Sequence, residues 1–264
     1  MPKHHNIDTR LIVNTLLLIL TFLVLLNLFR TYELQSMMEE KIKLDMLVPP
    51  PSPIKLVVLR DLTCYDCFNV SSVVTQIARL DVNITSLDFI QFDGRQGAQL
   101  IKDYNLTFIP SVIIQDVPDN FRLKGFRFQD KSLILDESRP VYIELPSGRK
   151  RGMINITLIK PLDCPACFDL SGFIGELRKV ASVRSVNTLT WPSAEAQRHI
   201  SVYNLSRLPV VILNEDAQEY PNIIAQWKDL GSSESDGSLV FRNFGAFGNV
   251  KYQDVATGEL RSAW

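Results

Sequence analysis

The sequence has few of the residues and patterns that most catalytic, metal-binding and nucleotide-binding sites require. Only three histidines occur among 264 residues, which makes a histidine-based metal site or a Ser-His-Asp triad hard to build. No phosphate-binding glycine loop and no dinucleotide-binding glycine pattern is present. The 28 basic and 29 acidic residues nearly cancel, so charge gives no support for a nucleic-acid partner. We therefore expect no nucleic acid and no cofactor.

Cysteine is also scarce, but its four occurrences form a pattern. They lie in two Cys-x-x-Cys motifs, Cys64/Cys67 and Cys164/Cys167, one hundred positions apart. Each motif follows a strand-like apolar run and precedes an apolar stretch that is compatible with a helix. A Cys-x-x-Cys motif at a strand-to-helix junction is typical of a dithiol redox site.

The similarity between the two halves of the chain extends beyond the cysteines. The segment IKLVVLRDLTCYDCFNVSS aligns without gaps with INITLIKPLDCPACFDLSG, and YNLTFIPSVII aligns with YNLSRLPVVIL. Further on, YIELPSG (Tyr142 to Gly148) is echoed by YQDVATG (Tyr252 to Gly258), after about eleven additional residues in the second copy. Such a duplication predicts two tandem domains of the same fold.

Each copy has the order strand, Cys-x-x-Cys, helix, strand, helix, proline, strand. The second strands are predicted at Ile84 to Phe92 and Val183 to Trp191, and the second helices near Asp93 and Ser193, which are good N-cap residues. This alternation predicts a βαβ unit with parallel strands in each copy. Beyond the proline we expect short strands, with a helix only at Ile223 to Leu230.

On these residues, both copies resemble the thioredoxin fold, and the Cys-x-x-Cys-Phe pattern resembles its glutaredoxin and disulfide-isomerase branches. The tandem arrangement is similar to prokaryotic protein disulfide oxidoreductases with two fused thioredoxin units. The resemblance implies that Pro110 and Pro209, which follow the second helices, form cis bonds and face the cysteines. It also implies that the backbones of Ile109 and Leu208 pair with a substrate strand.

Under the interpretation as a redox site, the cysteines have distinct roles. Cys64 and Cys164 would lie at a helix start, where the helix dipole stabilises a thiolate, and would attack or be attacked. Cys67 and Cys167 would resolve the mixed disulfide, so the partners would be protein thiols and disulfides. Two alternatives stay open: each pair is a static disulfide in a binding module, or the thiols bind zinc or copper(I).

The two motifs differ between their cysteines. The first carries Asp66, whereas the second carries Ala166 at the same position. A carboxylate beside Cys64 disfavours its thiolate, which predicts that the first pair is the more reducing. Asp163, directly before Cys164, opposes this order.

An uncharged run of nineteen residues, Leu11 to Phe29, lies between Arg10 and Arg30. As a helix it would be about 28 Å long, close to the hydrocarbon thickness of about 30 Å. No small-residue cleavage site follows it, so we expect an uncleaved single-pass membrane anchor. Because disulfides persist in oxidising compartments, we expect a cytoplasmic N-terminus and both domains on the exported side.

The sequence therefore predicts a membrane-anchored thiol-disulfide oxidoreductase with an α/β architecture. One transmembrane helix would precede two tandem thioredoxin-like domains. The predicted segments are a tail at 1–10, the anchor at 11–29, a juxtamembrane helix with a proline-rich spacer at 30–53, and domains at 54–150 and 151–264.

Overall fold

The computed structural model describes residues 9–47, 51–80 and 82–263. It contains two compact units, one that ends at Pro51 and one that comprises Ser52–Trp264. Most of the predicted tail, residues 1–8, and half of the predicted proline-rich segment, residues 48–50, lie outside the described residues. The first strand begins at Ser52, inside the predicted spacer.

The described part of the first unit forms the helix α1 (Thr9–Leu47). It contains the predicted anchor and continues without a break through the predicted juxtamembrane segment. Its stretch from Leu16 to Glu39 has a mean hydropathy of 1.7 and no buried residue, so the helix is long and apolar enough to cross a membrane. The Thr21 and Thr31 hydroxyls donate to carbonyls of the preceding turn, which satisfies them within the helix as a bilayer interior requires.

The first half of the second unit, residues 52–151, contains two α-helices and eight strands. In chain order they are β1 (Ser52–Arg60), α2 (Ser71–Ala78), β2 (Val82–Gln91), α3 (Arg95–Asp103), β3 (Phe108–Ile109), β4 (Ser111–Gln115), β5 (Phe126–Gln129), β6 (Ser132–Leu135), β7 (Tyr142–Glu144) and β8 (Arg149–Arg151). The main sheet has the order β2-β1-β4-β6-β5, and β3-β7-β8 form a small second sheet. β1 and β2 are parallel, which confirms the predicted βαβ unit.

The second half, residues 152–264, repeats this architecture. Its elements are β9 (Ile154–Pro161), α4 (Ser171–Val180), β10 (Val183–Trp191), α5 (Ala194–Val202), β11 (Arg207–Leu208), β12 (Val210–Leu213), a 3₁₀ turn (Glu215–Glu219), α6 (Pro221–Leu230), β13 (Gly231–Ser233), β14 (Leu239–Phe241), a second 3₁₀ turn (Phe244–Phe247), β15 (Lys251–Asp254) and β16 (Leu260–Ser262). The sheets β10-β9-β12-β14-β13 and β11-β15-β16 have the same strand orders as those of the first half. Helix α6 confirms the helix predicted beyond the second proline.

Strand β1 is apolar along most of its length because both faces of the sheet are covered. Ile54, Leu56 and Val58 belong to the core cluster that includes buried side chains of α2. Val57 and Leu59 belong to a second cluster, against which side chains of α3 pack. A strand buried on both faces is a near-continuous hydrophobic run, which explains why β1 could be recognised in the sequence.

Two pairs of residues that recur in both copies have backbone conformations with positive φ. Asn105 and Asn204, from the shared Tyr-Asn-Leu, have φ angles of 48° and 49°. They end α3 and α5 in the left-handed region, which asparagine tolerates better than most residues. Gly148 and Gly258 also repeat, with φ of +67° and +72°, and both lie in hairpin turns.

The structure confirms one of the two predicted N-cap residues and contradicts the other. Ser193 caps α5, where its Oγ accepts a hydrogen bond from the Ala196 amide at 3.4 Å, as predicted. The prediction of Asp93 as a cap is wrong, because Gly94 occupies that position with an extended backbone. The Gly94 carbonyl accepts the Ala98 amide at 2.9 Å and begins the helix.

Two helical glycines give opposite stability predictions. A Cβ at Gly175 in α4 would meet nothing within 4 Å, whereas one at Gly97 in α3 would lie 2.3 Å from the Gln91 carbonyl oxygen. We expect Gly175→Ala to raise the free energy of unfolding of the Ser52–Trp264 unit by about 0.5–1 kcal/mol. Gly97→Ala should lower it by about 1–3 kcal/mol. Denaturant titration of both variants measures this, and a loss of stability in Gly175→Ala would contradict the first expectation.

Candidate functional site

The four cysteines form two disulfides, one within each motif. Cys64–Cys67 and Cys164–Cys167 each have a Cα–Cα distance of 5.3 Å. They lie in the loops between β1 and α2 and between β9 and α4, at the predicted strand-to-helix junctions. All four cysteines are half-buried, and the residues between them are exposed. Both disulfides are therefore open to solvent on one side.

The helices begin later than the sequence suggests. α2 starts at Ser71 and α4 at Ser171, four residues after the second cysteine of each motif, so neither Cys64 nor Cys164 occupies a helix start. The reason is that the Phe68 amide donates to the Val141 carbonyl at 2.7 Å and is not used within a helix. The predicted position of Cys64 and Cys164 at a helix start, on which the stabilisation of their thiolates by the helix dipole depends, is therefore wrong.

One hairpin in each half joins the motif to the proline strand. The β7–β8 hairpin accepts the Phe68 amide, and the β15–β16 hairpin accepts the equivalent Phe168 amide through the Lys251 carbonyl at 2.8 Å. The same hairpins pair with β3 and β11. These short strands lead directly into Pro110 and Pro209, whose preceding peptide bonds are both cis, as the resemblance implies.

The backbone before each proline is already paired within the chain. The Leu145 amide donates to the Thr107 carbonyl at 2.8 Å. Because hydrogen-bonded pairs alternate in an antiparallel ladder, the pair Ile109–Ile143 two residues further on is again a hydrogen-bonded one. The second half repeats this arrangement, and Ile109 and Leu208 are both fully buried. A substrate strand could take the predicted position there only by displacing the hairpin.

The first motif has a cationic neighbour that sequence reasoning missed. The Lys150 ammonium, from β8, lies 3.3 Å from the Asp66 carboxylate, so Asp66 does not act on Cys64 as an isolated negative charge. The two residues are 84 positions apart, and no local pattern pairs them. Burial alone would raise the pKa of nearby Asp61, but hydrogen bonds from Thr63 and Gln91 and the charge of Lys150 hold that pKa below its usual value.

Among the residues that the structure describes, no ion pair joins the second motif to its hairpin. Ala166 replaces Asp66, and Leu260 occupies the register position of Lys150, opposite Gln253 in its hairpin. Leu162 and its equivalent Leu62 are both exposed, so the difference lies in the hairpin. There the second half presents Leu260, which is 47% exposed, where the first half presents Lys150.

The metal-binding alternative concerns the four thiols. Among the residues that the structure describes, no group of three or more His, Cys, Asp or Glu side chains could hold a metal ion. Binding of zinc or copper by the four thiols would require both disulfides to be reduced and the two motifs to meet.

The fold and the two disulfides define an α/β protein with two equivalent Cys-x-x-Cys halves, preceded by a helix able to span a membrane. This combination is consistent with a redox-type function. Comparison with protein-family models gives no match, and comparison with curated proteins also gives none.

Proposed function

We propose that the chain is a membrane-anchored thiol-disulfide oxidoreductase with two thioredoxin-like domains, acting on exported proteins. The observation that carries the proposal is the repetition of one accessible disulfide at the same place in two α/β halves. In each half the disulfide lies between the end of a central strand and a helix. In each half, the hairpin that accepts the backbone amide following the motif also pairs with the short strand before the cis-proline.

The exchange balances without a cofactor. A partner thiolate attacks the Sγ of Cys64, the Cys64–Cys67 bond breaks, and Cys67 leaves as a thiolate that takes up a proton. A second partner thiolate then attacks the partner sulfur of the mixed disulfide. The partner gains a disulfide, Cys64 leaves as a thiolate, and two electrons have moved to the chain. Cys164 and Cys167 would act in the same way, and the reverse sequence reduces a partner disulfide.

The proline strands are proposed as the second part of each site. Ile109–Pro110 and Leu208–Pro209 are buried, and the short strands that lead into them pair with the hairpins that accept the Phe68 and Phe168 amides. Their proposed role is to contact the polypeptide bound at the disulfide. For Ile109 and Leu208 this requires that the hairpin moves aside.

Trapping of mixed disulfides tests the function. Removing the resolving cysteine with Cys67→Ala or Cys167→Ala should leave partner proteins covalently attached to Cys64 or Cys164. The matched controls are Cys64→Ala/Cys67→Ala and Cys164→Ala/Cys167→Ala, which should trap nothing. If neither single variant traps a protein and wild-type disulfides resist exchange with glutathione, the disulfides are structural and the chain is a binding module.

The proposed orientation has its own test. With the N-terminus in the cytoplasm, an impermeant maleimide added to intact cells after mild reduction should label Cys64 and Cys164. The control is the same labelling after lysis, which reaches both sides of the membrane. Labelling only after lysis would place the domains in the cytoplasm.

A further inference from the structure

The second half contains an apolar groove between α4 and α6. Its volume is about 620 Å³, and its walls include Phe173, Leu177 and Val180 from α4, and Ile223 and Trp227 from α6. This volume falls within the usual range of about 300–1,000 Å³ for ligand sites. Val180 is 59% exposed, so the groove is open to solvent and not part of the closed core.

One wall of this groove packs against the residue that follows the second disulfide. Phe247 lines the groove, is 36% exposed, and has its ring centroid 5.0 Å from that of Phe168. Phe168 directly follows Cys167 in the chain. Two adjacent aromatic rings therefore connect the groove to the disulfide.

The first half has a different groove at the equivalent place. Its cavity of about 360 Å³ is lined by Val73 and Ile77 of α2, which correspond to Phe173 and Leu177, but also by Lys124, Glu137 and Arg139. The Arg139 guanidinium carbon lies 5.2 Å from the Phe68 ring, where the second half places Phe247 against Phe168. The repeat thus offers a mostly apolar groove on α4, whose lining includes the charged residue Glu176, and a more strongly charged groove on the equivalent helix α2.

We infer that the α4–α6 groove binds an apolar segment of the polypeptide whose cysteine exchanges with Cys164–Cys167. The inference rests on the proposed function and names its substrate class: a non-native polypeptide with apolar side chains next to its cysteine. The backbone edge at Leu208 is already paired, so in the closed hairpin recognition must come from side-chain contacts. Burial of apolar side chains supplies the affinity, and Phe247 places the bound segment near the sulfurs. The charged groove of the first half does not favour the same segment.

Two peptides and two single-motif chains test this inference. Full chains in lipid nanodiscs carry either Cys64→Ser/Cys67→Ser, which leaves the second site, or Cys164→Ser/Cys167→Ser, which leaves the first. Each reacts with a one-cysteine peptide flanked by leucine and phenylalanine, and with an equally charged peptide flanked by serine and asparagine. The second site should react with the apolar peptide about tenfold faster, whereas the first should show no more than about a twofold preference.

Two variants of the groove test whether the peptide preference of the second site depends on the groove. Ala225→Glu places a charge on an exposed groove position of α6, and Phe247→Ser removes the aromatic connection to Phe168. Each should reduce the preference of the second site to about twofold. The ratio of the rates for the apolar and the polar peptide measures this loss separately from any change in the reactivity of the disulfide itself. Arg139→Ala in the first half is the matched control and should leave the second site unaffected. A tenfold preference that survives both groove variants would overturn the inference.

A binding measurement separates this inference from the proposed function. A fluorescent apolar peptide with serine in place of cysteine should bind the wild-type chain saturably by anisotropy, and Ala225→Glu should weaken binding at least about tenfold. Absence of wild-type binding rejects the groove even if both disulfides exchange with glutathione. Binding without any exchange at either disulfide supports the groove and rejects the oxidoreductase function.

Discussion

Arg151→Ala is expected to lower the free energy of unfolding of the Ser52–Trp264 unit by about 3 kcal/mol. Arg151 ends β8 of the first half, and its guanidinium lies 2.8 Å from Glu219 and 3.8 Å from Asp216 in the 3₁₀ turn of the second half. All three side chains are at most 19% exposed. Removing the cation leaves two shielded carboxylates without a countercharge, which is more costly than loss of an ordinary contact.

Two further variants at the contact between the two halves provide smaller expected losses of unfolding free energy for comparison. The Tyr142 hydroxyl donates to Glu219 at 2.8 Å, and burial together with this bond raises the pKa of Tyr142. Tyr142→Phe removes that single bond to a charged acceptor and should cost about 1.5 kcal/mol. Arg149→Ala removes a 3.0 Å pair with Glu215 in which both side chains are well exposed, so it should cost less than about 1 kcal/mol. An Arg149→Ala loss as large as that of Arg151→Ala would contradict the argument from burial.

Tryptophan fluorescence can show whether the contacts of Arg151 with Glu219 and Asp216 couple the unfolding of the two halves. All three, Trp191, Trp227 and Trp264, lie in the second half, so tryptophan fluorescence follows that half alone. In the wild type we expect the fluorescence and far-UV circular dichroism transitions to coincide, since the boundary contacts bind the halves together. In Arg151→Ala the two transitions should separate. Coincident transitions in the variant would mean that other contacts couple the halves.

The parts of the fold that the sequence predicted are those with local patterns. The runs at Ile54 and Ile154 became β1 and β9, and the segments after each motif contain α2 and α4. The hairpins that carry Tyr142 and Tyr252 were visible as a repeat, although their pairing partners were not. A duplicated pattern is strong because two copies must satisfy the same packing rules.

Contacts between distant residues could not be read from the sequence. The Asp66–Lys150 pair joins residues 84 positions apart, and the Arg151–Glu219 pair joins residues 68 positions apart. Both depend on where β8 lies in three dimensions, and a strand of three residues has almost no pattern of its own. The sequence therefore indicated the negative charge at Asp66 but not its counterion.

The start of α2 shows a local prediction overruled by a distant contact. Phe68 and the following residues are compatible with a helix, but the Phe68 amide bonds to the Val141 carbonyl of the hairpin. The Asn69 side chain then accepts the Ser71 amide at 2.9 Å, a short turn that favours a later helix start. The same two contacts recur in the second half at Phe168 and Asp169. The late helix start is therefore a feature of both copies.

The α4–α6 groove arises from the additional residues of the second copy. The first half has no helix in its loop at 116–125, whereas the second half has α6 between β12 and β13. The sequence predicted this helix from Ile223 onward, but the groove requires its packing beside α4, which one copy alone does not indicate. The groove therefore lies where the two copies differ in sequence and not where they agree.

Phe241→Ala is expected to destabilise the second half by about 3–5 kcal/mol. Phe241 is 1% exposed in β14, and its ring lies 5.1 Å from that of Phe244, 5.6 Å from that of Phe247 and 6.2 Å from that of Phe173. Phe173 and Phe247 form walls of the groove, so Phe241 packs behind two of the groove's walls. Alanine would remove apolar burial and leave a cavity that the three neighbouring aromatic side chains cannot close.

The matched variant in the first half is Leu135→Ala. Leu135 occupies the position equivalent to Phe241, at the end of β6, and is 5% exposed. It should cost about 2–5 kcal/mol. In the wild-type background each variant should shift the single transition seen by both spectroscopic signals. In the Arg151→Ala background, Phe241→Ala should shift the tryptophan transition and Leu135→Ala only the circular dichroism transition. A tryptophan shift from Leu135→Ala in that background would show that the halves still unfold as one, which contradicts the coupling assigned to Arg151.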